Sequence, residues 1–229
     1  MPRDWYRKVS WTDDDERDFR ARLKRARPEN RGQYVYLQAI TLLGGADRWL
    51  TAAELLLREH IDTYPDDFRR GEAFNALGEL FERREEVGQA LEQYQLAMAR
   101  MREHPGRPYA WLSYARLVAR RRLRAHYETA KSAIAEFDAA NPFPLHIFRV
   151  NAALALIAKD EQRNEDARTF AIKALAAASA KTTGLRYHPL LGLVGSEEGP
   201  TIRELSRIAG SGGLAVGWPF RRRRGVSET

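Results

Sequence analysis

The side chains best suited to chemistry near neutral pH are five histidines scattered along the chain. They are His60, His104, His126, His146 and His188. None has a second histidine or a carboxylate at the spacing of a recognised metal site. The absence of cysteine excludes disulfides, thiolate metal sites and a cysteine nucleophile, and the glycines form neither a GxGxxG nor a Walker motif. The sequence therefore predicts a protein that is not an enzyme and that needs no metal or cofactor.

Arginines are the second group of candidates, because they bind carboxylates and phosphates. Arg116, Arg120 and Arg124 follow an i, i+4, i+8 spacing, which predicts that they lie on one side of a helix. Arg121 and Arg122 add charge to this arginine ridge. The simplest interpretation of the ridge is a solvated helix face, and binding of an acidic partner is the alternative.

A second basic cluster lies near the C-terminus, after two aromatic residues. This arginine tail consists of Arg221, Arg222, Arg223 and Arg224. Residues 221–229 contribute +3 of the formal net charge of +7, so the rest of the chain is only mildly basic. Three roles remain open for the tail: salt-sensitive contact with nucleic acid, contact with an acidic protein surface, and a disordered, solubilising end.

The elements that must position these side chains are clearest in residues 74–101. Apolar residues recur there at i, i+3, i+4 and i+7, first in one half and then in the other. Five consecutive charged residues between the halves suit a solvated turn. The pattern predicts two antiparallel helices, and the small residues Gly78 and Ala90 allow their backbones to approach closely.

This hairpin resembles a tetratricopeptide repeat, a helical hairpin with a fixed pattern of aromatic, Leu-Gly, alanine and tyrosine positions. The residues that match the pattern are Phe74, Leu77, Gly78, Phe81, Ala90, Tyr94 and Ala97. Glu85 stands where the family usually has glycine, and the closing proline comes late, at Pro105. We therefore expect a slightly remodelled turn. The resemblance covers residues 31–180, strongly in this hairpin and weakly in three others.

The second helices of the four hairpins carry equivalent alanines, Ala53, Ala90, Ala130 and Ala167. These lie 37, 40 and 37 residues apart, compared with about 34 in the family. In the third and fourth hairpins the gap between the leading aromatic residue and the alanine is longer, so we expect longer first helices there. The resemblance implies an all-α, right-handed solenoid of about four degenerate hairpins.

Capping segments are predicted on both sides of the hairpins. Residues 1–30 contain a capping-box pattern at Thr12 and predict an N-terminal capping helix. Residues 181–213 predict an ordered loop over the last hairpin, followed by a capping helix that begins at Thr201 with Glu204 three residues later. Residues 214–229 are predicted to be a flexible basic tail.

The resemblance also implies a binding site, because tetratricopeptide proteins usually hold their ligand in a concave groove lined by the first helices. By register, the groove residues are Asn75, Glu79, Glu82, Leu112, Arg116, Arg120 and Arg149. This groove would be acidic at one end and basic at the other. Family members that clamp a C-terminal carboxylate use a lysine and several asparagines. Only Asn75 is comparable here, so that ligand is not carried over.

These observations predict a non-catalytic protein-protein interaction scaffold that binds a peptide or helix, including an acidic one, in the groove. The alternative is a nucleic-acid-binding helical-repeat protein that uses the arginine ridge and the arginine tail. The N-terminus lacks the apolar segment of a secretory signal, and no stretch of about 18 apolar residues occurs. We therefore expect a cytoplasmic protein without a membrane partner.

Overall fold

The computed structural model describes residues 4–103, 109–138, 141–183 and 185–210. These residues form ten α-helices and three short 3-10 turns, with no strand among them, which confirms an all-α fold. The helices are α1 (Asp13–Arg25), α2 (Pro28–Leu43), α3 (Leu50–Thr63), α4 (Arg70–Arg83), α5 (Val87–Glu103), α6 (Ala110–Arg120), α7 (Tyr127–Phe137), α8 (Pro144–Asp160), α9 (Asn164–Ala178) and α10 (Gly199–Ala209). The chain divides into a first unit, Met1–Ala139, and a second unit, Ala140–Thr229.

Local signals set the start of α1 but not that of α10. The Thr12 hydroxyl accepts a hydrogen bond from the Asp15 amide at 3.2 Å, and the Asp15 carboxylate accepts one from the Thr12 amide at 3.1 Å. This is the predicted capping box. Helix α10 begins at Gly199, with a proline in its first turn and no side-chain cap. The capping box predicted at Thr201 is therefore wrong, because Thr201 already lies inside the helix.

The N-terminal segment of the first unit is held against α2. The Trp5 ring lies 5.0 Å from the ring of Tyr34 on α2. The fully buried side-chain amide of Gln38 bonds to both backbone groups of Lys8, accepting at 2.9 Å and donating at 2.8 Å. Since a buried amide without partners would be costly, this reciprocal pair fixes where the segment crosses α2.

Consecutive helices of the first unit pair as hairpins: α2 with α3, α4 with α5, and α6 with α7. The second helix of a hairpin also contacts the first helix of the next, as α3 does with α4 and α5 with α6. In addition, α2 contacts α4, and α4 contacts α6. The three first helices of this unit therefore lie side by side.

The seam between α4 and α5 is closest at Gly78. A β-carbon at this position would lie 2.5 Å from Cδ1 of Tyr94, whose side chain is fully buried. Only a glycine leaves room for that ring. Ala90, also fully buried, is the small residue on α5. The close approach of the two helices depends on both.

Three hairpin turns close in the same way, around Glu85, Arg122 and Gln162. These residues have φ values of 61°, 53° and 63°. In each turn the next amide bonds to the carbonyl five residues earlier, at 2.9, 3.0 and 2.9 Å. This is a Schellman motif, in which glycine usually takes the left-handed position. The turn at Glu85 is therefore not remodelled, because a non-glycine residue adopts the usual conformation.

The lengths of the first helices only partly follow the sequence expectation. Helix α8 has 17 residues and α4 has 14, but α6 has only 11. In the third hairpin the extra residues lie between α6 and α7, where Arg124–His126 forms a 3-10 turn. If α6 continued to Arg124, the like charges of Arg120 and Arg124 would lie one turn apart, which destabilises a helix. Arg124 is outside α6, so the predicted row of three arginines on one helix is wrong at its last member.

The second unit packs α8, α9 and α10 around a core of small residues. The buried core consists of Phe148, Ala152, Ala155, Ala171, Ala174 and Leu205. The connection from α9 to α10 is attached to α8: the Leu145 amide donates to the Gly192 carbonyl at 2.8 Å, and Val194 packs against the core. Part of this connection therefore lies over the last hairpin, as expected.

Candidate partner-binding face of the first unit

Helix α4 carries a row of polar residues on one side. Glu72, Asn75, Glu79 and Glu82 are separated by three, four and three residues, which places them on one face of a helix. Glu79 is exposed and the other three are half-buried. Since α4 contacts both α2 and α6, this row can meet residues of both neighbours.

Helix α6 presents a second polar row. Ser113 and Arg116 are half-buried, whereas Arg120 is exposed and the Tyr109 side chain just before the helix is 52% exposed. Leu112, by contrast, is only 5% exposed. Its side chain belongs to the protein interior, so it offers little surface to a partner and we leave it out of the candidate site.

The two rows meet around the Tyr94 hydroxyl, which reaches them from α5. This hydroxyl donates to Glu82 Oε2 at 3.2 Å, and Arg120 Nη1 lies 3.5 Å from Glu82 Oε1. Burial raises the pKa of Tyr94, the charges of Glu82 and Glu79 raise it further, and Arg116 opposes them. The structure therefore brings four predicted site residues together around one buried hydroxyl, which stays protonated and acts as a donor.

The acidic end of the row meets α2 through Tyr36. Burial raises the pKa of Tyr36, and the charge of Glu72 and its hydrogen bond with Tyr36 add to this effect. Further along α4, Asn75 Nδ2 donates to Glu79 at 2.9 Å, while the buried Asn75 Oδ1 has no hydrogen-bond partner among the described residues. We call the surface formed by α2, α4 and α6 the first-helix face; its residues are Tyr36, Glu72, Asn75, Glu79, Glu82, Arg116 and Arg120.

Two residues of this face, Glu72 and Tyr36, and the Tyr94 hydroxyl of α5 that contacts it were not singled out from the sequence as site residues. Tyr94 was assigned to the repeat pattern, and its hydroxyl becomes important only because α4 and α6 both reach it. Glu72 follows from the helical spacing alone, since it lies one turn before Asn75. Tyr36 lies among apolar residues of α2, and only its position beside Glu72 reveals its polar role.

Two of the five arginines of the arginine ridge pair with acids of the preceding hairpin. Arg120 pairs with Glu82, and Arg121 pairs with Glu85 in the neighbouring turn. Both pairs are exposed, with 54% of the Arg120 side chain accessible, so each contributes at most about 1 kcal/mol. The ridge therefore projects less positive charge than its sequence indicates.

The remaining predicted site residues lie elsewhere. Arg149, in the second unit, forms an ion pair with Glu198 at 2.8 Å, and the Glu198 side chain is only 6% exposed. This pair attaches the start of α10 to α8, so Arg149 has a structural partner within its own unit. Residues 221–224 of the arginine tail lie outside the described residues, as does His104.

Two of the histidines that the structure describes have polar contacts within the fold. His60 is fully buried: its Nδ1 lies 3.0 Å from the Gly32 carbonyl oxygen and its Nε2 has no hydrogen-bond partner among the described residues. Burial lowers its pKa. His126 Nδ1 lies 2.8 Å from the Tyr114 hydroxyl. Within the described ranges, no group of three or more histidines, cysteines or carboxylates could hold a metal ion.

No protein-family model, curated protein or solved structure matches this chain. In the part of the chain that the structure describes, no helix is both long and apolar enough to cross a membrane. A functional interpretation therefore depends on the first-helix face and on the sequence pattern of the hairpins.

Proposed function

We propose that the hairpins are tetratricopeptide-like repeats of a right-handed solenoid, and that the chain is a non-catalytic scaffold that binds a peptide or helix of a partner protein. The observation that carries this proposal is the first-helix face, on which α2, α4 and α6 lie side by side and present polar residues around Tyr94. The proposal also places the protein in the cytoplasm and includes no cofactor.

The chemistry of the face favours a partner segment that carries both charges. Glu79 is exposed and can bind a cation of the partner. Arg120 is exposed, and among the described residues it pairs with Glu82 at 3.5 Å. Arg120 can leave Glu82 and pair with a carboxylate of the partner protein at little cost in free energy, because exposed ion pairs are weak. The half-exposed ring of Tyr109, just before α6, supplies an aromatic contact.

Nucleic acid binding through the arginine ridge and the arginine tail remains the alternative proposal. A nucleic-acid site needs cations that are free to neutralise successive phosphates. On α6 and its turn, Arg120 and Arg121 instead have carboxylate partners in the preceding hairpin. This internal pairing favours a protein partner over nucleic acid.

The test is affinity capture from native extract at low and moderate salt, followed by titration calorimetry with the protein recovered. The variant is Arg116→Gln/Arg120→Gln, which removes both guanidinium groups from the face. We expect a discrete protein that stays bound at moderate salt. It should bind the variant about tenfold more weakly, since two ion pairs near the surface together contribute roughly 1.4 kcal/mol.

The matched control is Lys24→Gln/Arg25→Gln, which makes the same charge change at two exposed positions of α1. Thermal unfolding confirms that each variant is folded. Equal weakening by both double variants contradicts the proposed site. Recovery of nucleic acid alone, lost at moderate salt, contradicts the scaffold proposal and supports the alternative.

A further inference from the structure

The second unit exposes a group of large apolar side chains in a short loop, residues 185–191, between α9 and α10. The exposed fractions are 40% for Leu185, 78% for Tyr187, 71% for Leu190 and 57% for Leu191. Single exposed apolar residues are common on soluble proteins, but four within seven residues form a patch of the kind that marks an interaction site. The apolar loop was expected to cover the last hairpin, and these residues face away from it.

The loop that exposes these apolar side chains has a defined, hydrogen-bonded backbone. The Thr183 amide donates to the Pro189 carbonyl at 2.9 Å, and the Leu191 amide donates to the His188 carbonyl at 3.1 Å. The His188 amide closes the turn further by donating to the Leu185 carbonyl at 3.3 Å. These three bonds give the loop a defined backbone, and the four apolar side chains are exposed in the described part of the unit.

The segment that contains the loop is basic, although Asp166 and Glu197 lie directly beyond its two ends. Residues 167–196 contain four cations and no acid. Two of these cations, Lys181 and Arg186, adjoin the apolar side chains and are exposed, and the Arg186 guanidinium lies 5.4 Å from the centre of the Tyr187 ring. A partner that suits this loop must offer an apolar interior and a negatively charged surface.

We propose that loop 185–191 binds the surface of a lipid bilayer that contains anionic lipid. The leucines and the Tyr187 ring enter the boundary between headgroups and acyl chains, where leucine and aromatic side chains are favoured. Lys181 and Arg186 bind the lipid phosphates, and each cation near such a surface adds salt-dependent affinity. This contact is peripheral and requires no spanning helix.

The charge pattern favours a bilayer over a groove in a partner protein. An anionic leaflet presents negative charge all around an inserted loop, which matches the exposed cations Lys181 and Arg186 of this segment. This inference concerns a different unit from the first-helix face and does not depend on the proposed function. It replaces the sequence expectation of no membrane partner with a peripheral one.

The test uses the full-length chain in co-sedimentation with vesicles of phosphatidylcholine, with and without phosphatidylglycerol. We expect binding to the vesicles that contain phosphatidylglycerol and little binding to phosphatidylcholine alone. Leu190→Ser/Leu191→Ser should weaken binding at least about tenfold, because it removes two of the largest inserted side chains. Lys181→Gln/Arg186→Gln should weaken binding and reduce its dependence on salt.

Leu55→Ser is the matched control, since Leu55 is 64% exposed on α3 of the first unit. It should leave vesicle binding unchanged, and circular dichroism checks that all variants are folded. Absence of binding to anionic vesicles overturns the proposal. So does full binding by Leu190→Ser/Leu191→Ser, which would assign the lipid contact to residues 221–224. A dimer that only the loop variant dissociates, without vesicle binding, would identify a second copy as the occupant and also refute the lipid contact.

Discussion

Replacing Gly78 with alanine tests the packing that creates the first-helix face. By helix propensity alone, alanine should stabilise the interior of α4 by about 1 kcal/mol. The new β-carbon, however, would lie 2.5 Å from Cδ1 of Tyr94, where ordinary contacts are 3.4–4 Å. The ring must therefore move by about 1 Å, although it is fully buried and its hydroxyl is bonded to Glu82. Overpacking of this kind costs about 1–3 kcal/mol, and more where the neighbour is trapped.

We expect Gly78→Ala to lower the free energy of unfolding by about 1–2 kcal/mol, and Tm by roughly 2–4 °C per kcal/mol. The assay is urea unfolding followed by circular dichroism. Gly88→Ala is the matched control on α5, because a β-carbon there meets nothing within 4 Å. It should stabilise the protein by about 0.5–1 kcal/mol.

A double variant separates steric conflict from any other effect of the alanine. Tyr94→Leu removes the ring, so adding Gly78→Ala to it should cost nothing, with a coupling energy of about 2 kcal/mol between the two positions. If Gly78→Ala stabilises the protein as much as Gly88→Ala does, the close approach of α4 and α5 is wrong. The position of the Tyr94 hydroxyl beside Glu82 would then be wrong as well.

Three further predictions concern other parts of the chain. Gln162→Gly should raise the free energy of unfolding by about 1 kcal/mol in urea titrations, because glycine adopts the left-handed backbone conformation at this position without strain. Gln162→Ala should not raise it. A stabilising effect of Gln162→Ala would show that loss of the glutamine side chain, and not relief of backbone strain, is the cause. His60, whose pKa burial lowers from 6.5, takes up a proton more readily when unfolded, so stability should fall as pH drops below about 6.5, by up to about 1.4 kcal/mol per pH unit. His60→Gln should flatten that slope in urea titrations across pH, and an unchanged slope would exclude His60 as its source. Glu198→Ala should destabilise the second unit by about 1–3 kcal/mol in urea titrations, since it leaves Arg149 without its carboxylate partner. Glu197 is exposed, so Glu197→Ala should change the stability little. Equal effects of the two variants would show that the ion pair is unimportant.

The sequence predicted the all-helical fold because the signals for helices are local. Apolar spacing gave the helices, and the small residues Gly78 and Ala90 marked a close seam. The predicted length of α6 was wrong, because the number of residues between an aromatic residue and an alanine does not show whether the additional residues are helical. In this hairpin they form the connection around Arg124.

The candidate site could be predicted only in part. Helical register placed Glu79, Glu82 and Arg120 correctly on their helices, but not the contacts across helices that pair them. Leu112 faces inward because α6 is covered on two sides, which its own spacing does not show. The exposed apolar loop was missed for a related reason. Its composition resembles a buried segment, and the absence of acids from residues 167–196 was the signal that could have revealed it.

The three Schellman turns have a consequence for how the protein opens. Each turn holds one amide, that of Glu86, Leu123 or Arg163, in a hydrogen bond at the C-terminus of the first helix of its hairpin. Such an amide exchanges with solvent only when its own turn opens. Hydrogen exchange at these three positions therefore measures the opening of each hairpin separately. If the second and third hairpins open as one cooperative unit, the opening free energies at Glu86 and Leu123 should be equal after correction for intrinsic exchange rates; different values would show that the hairpins open independently.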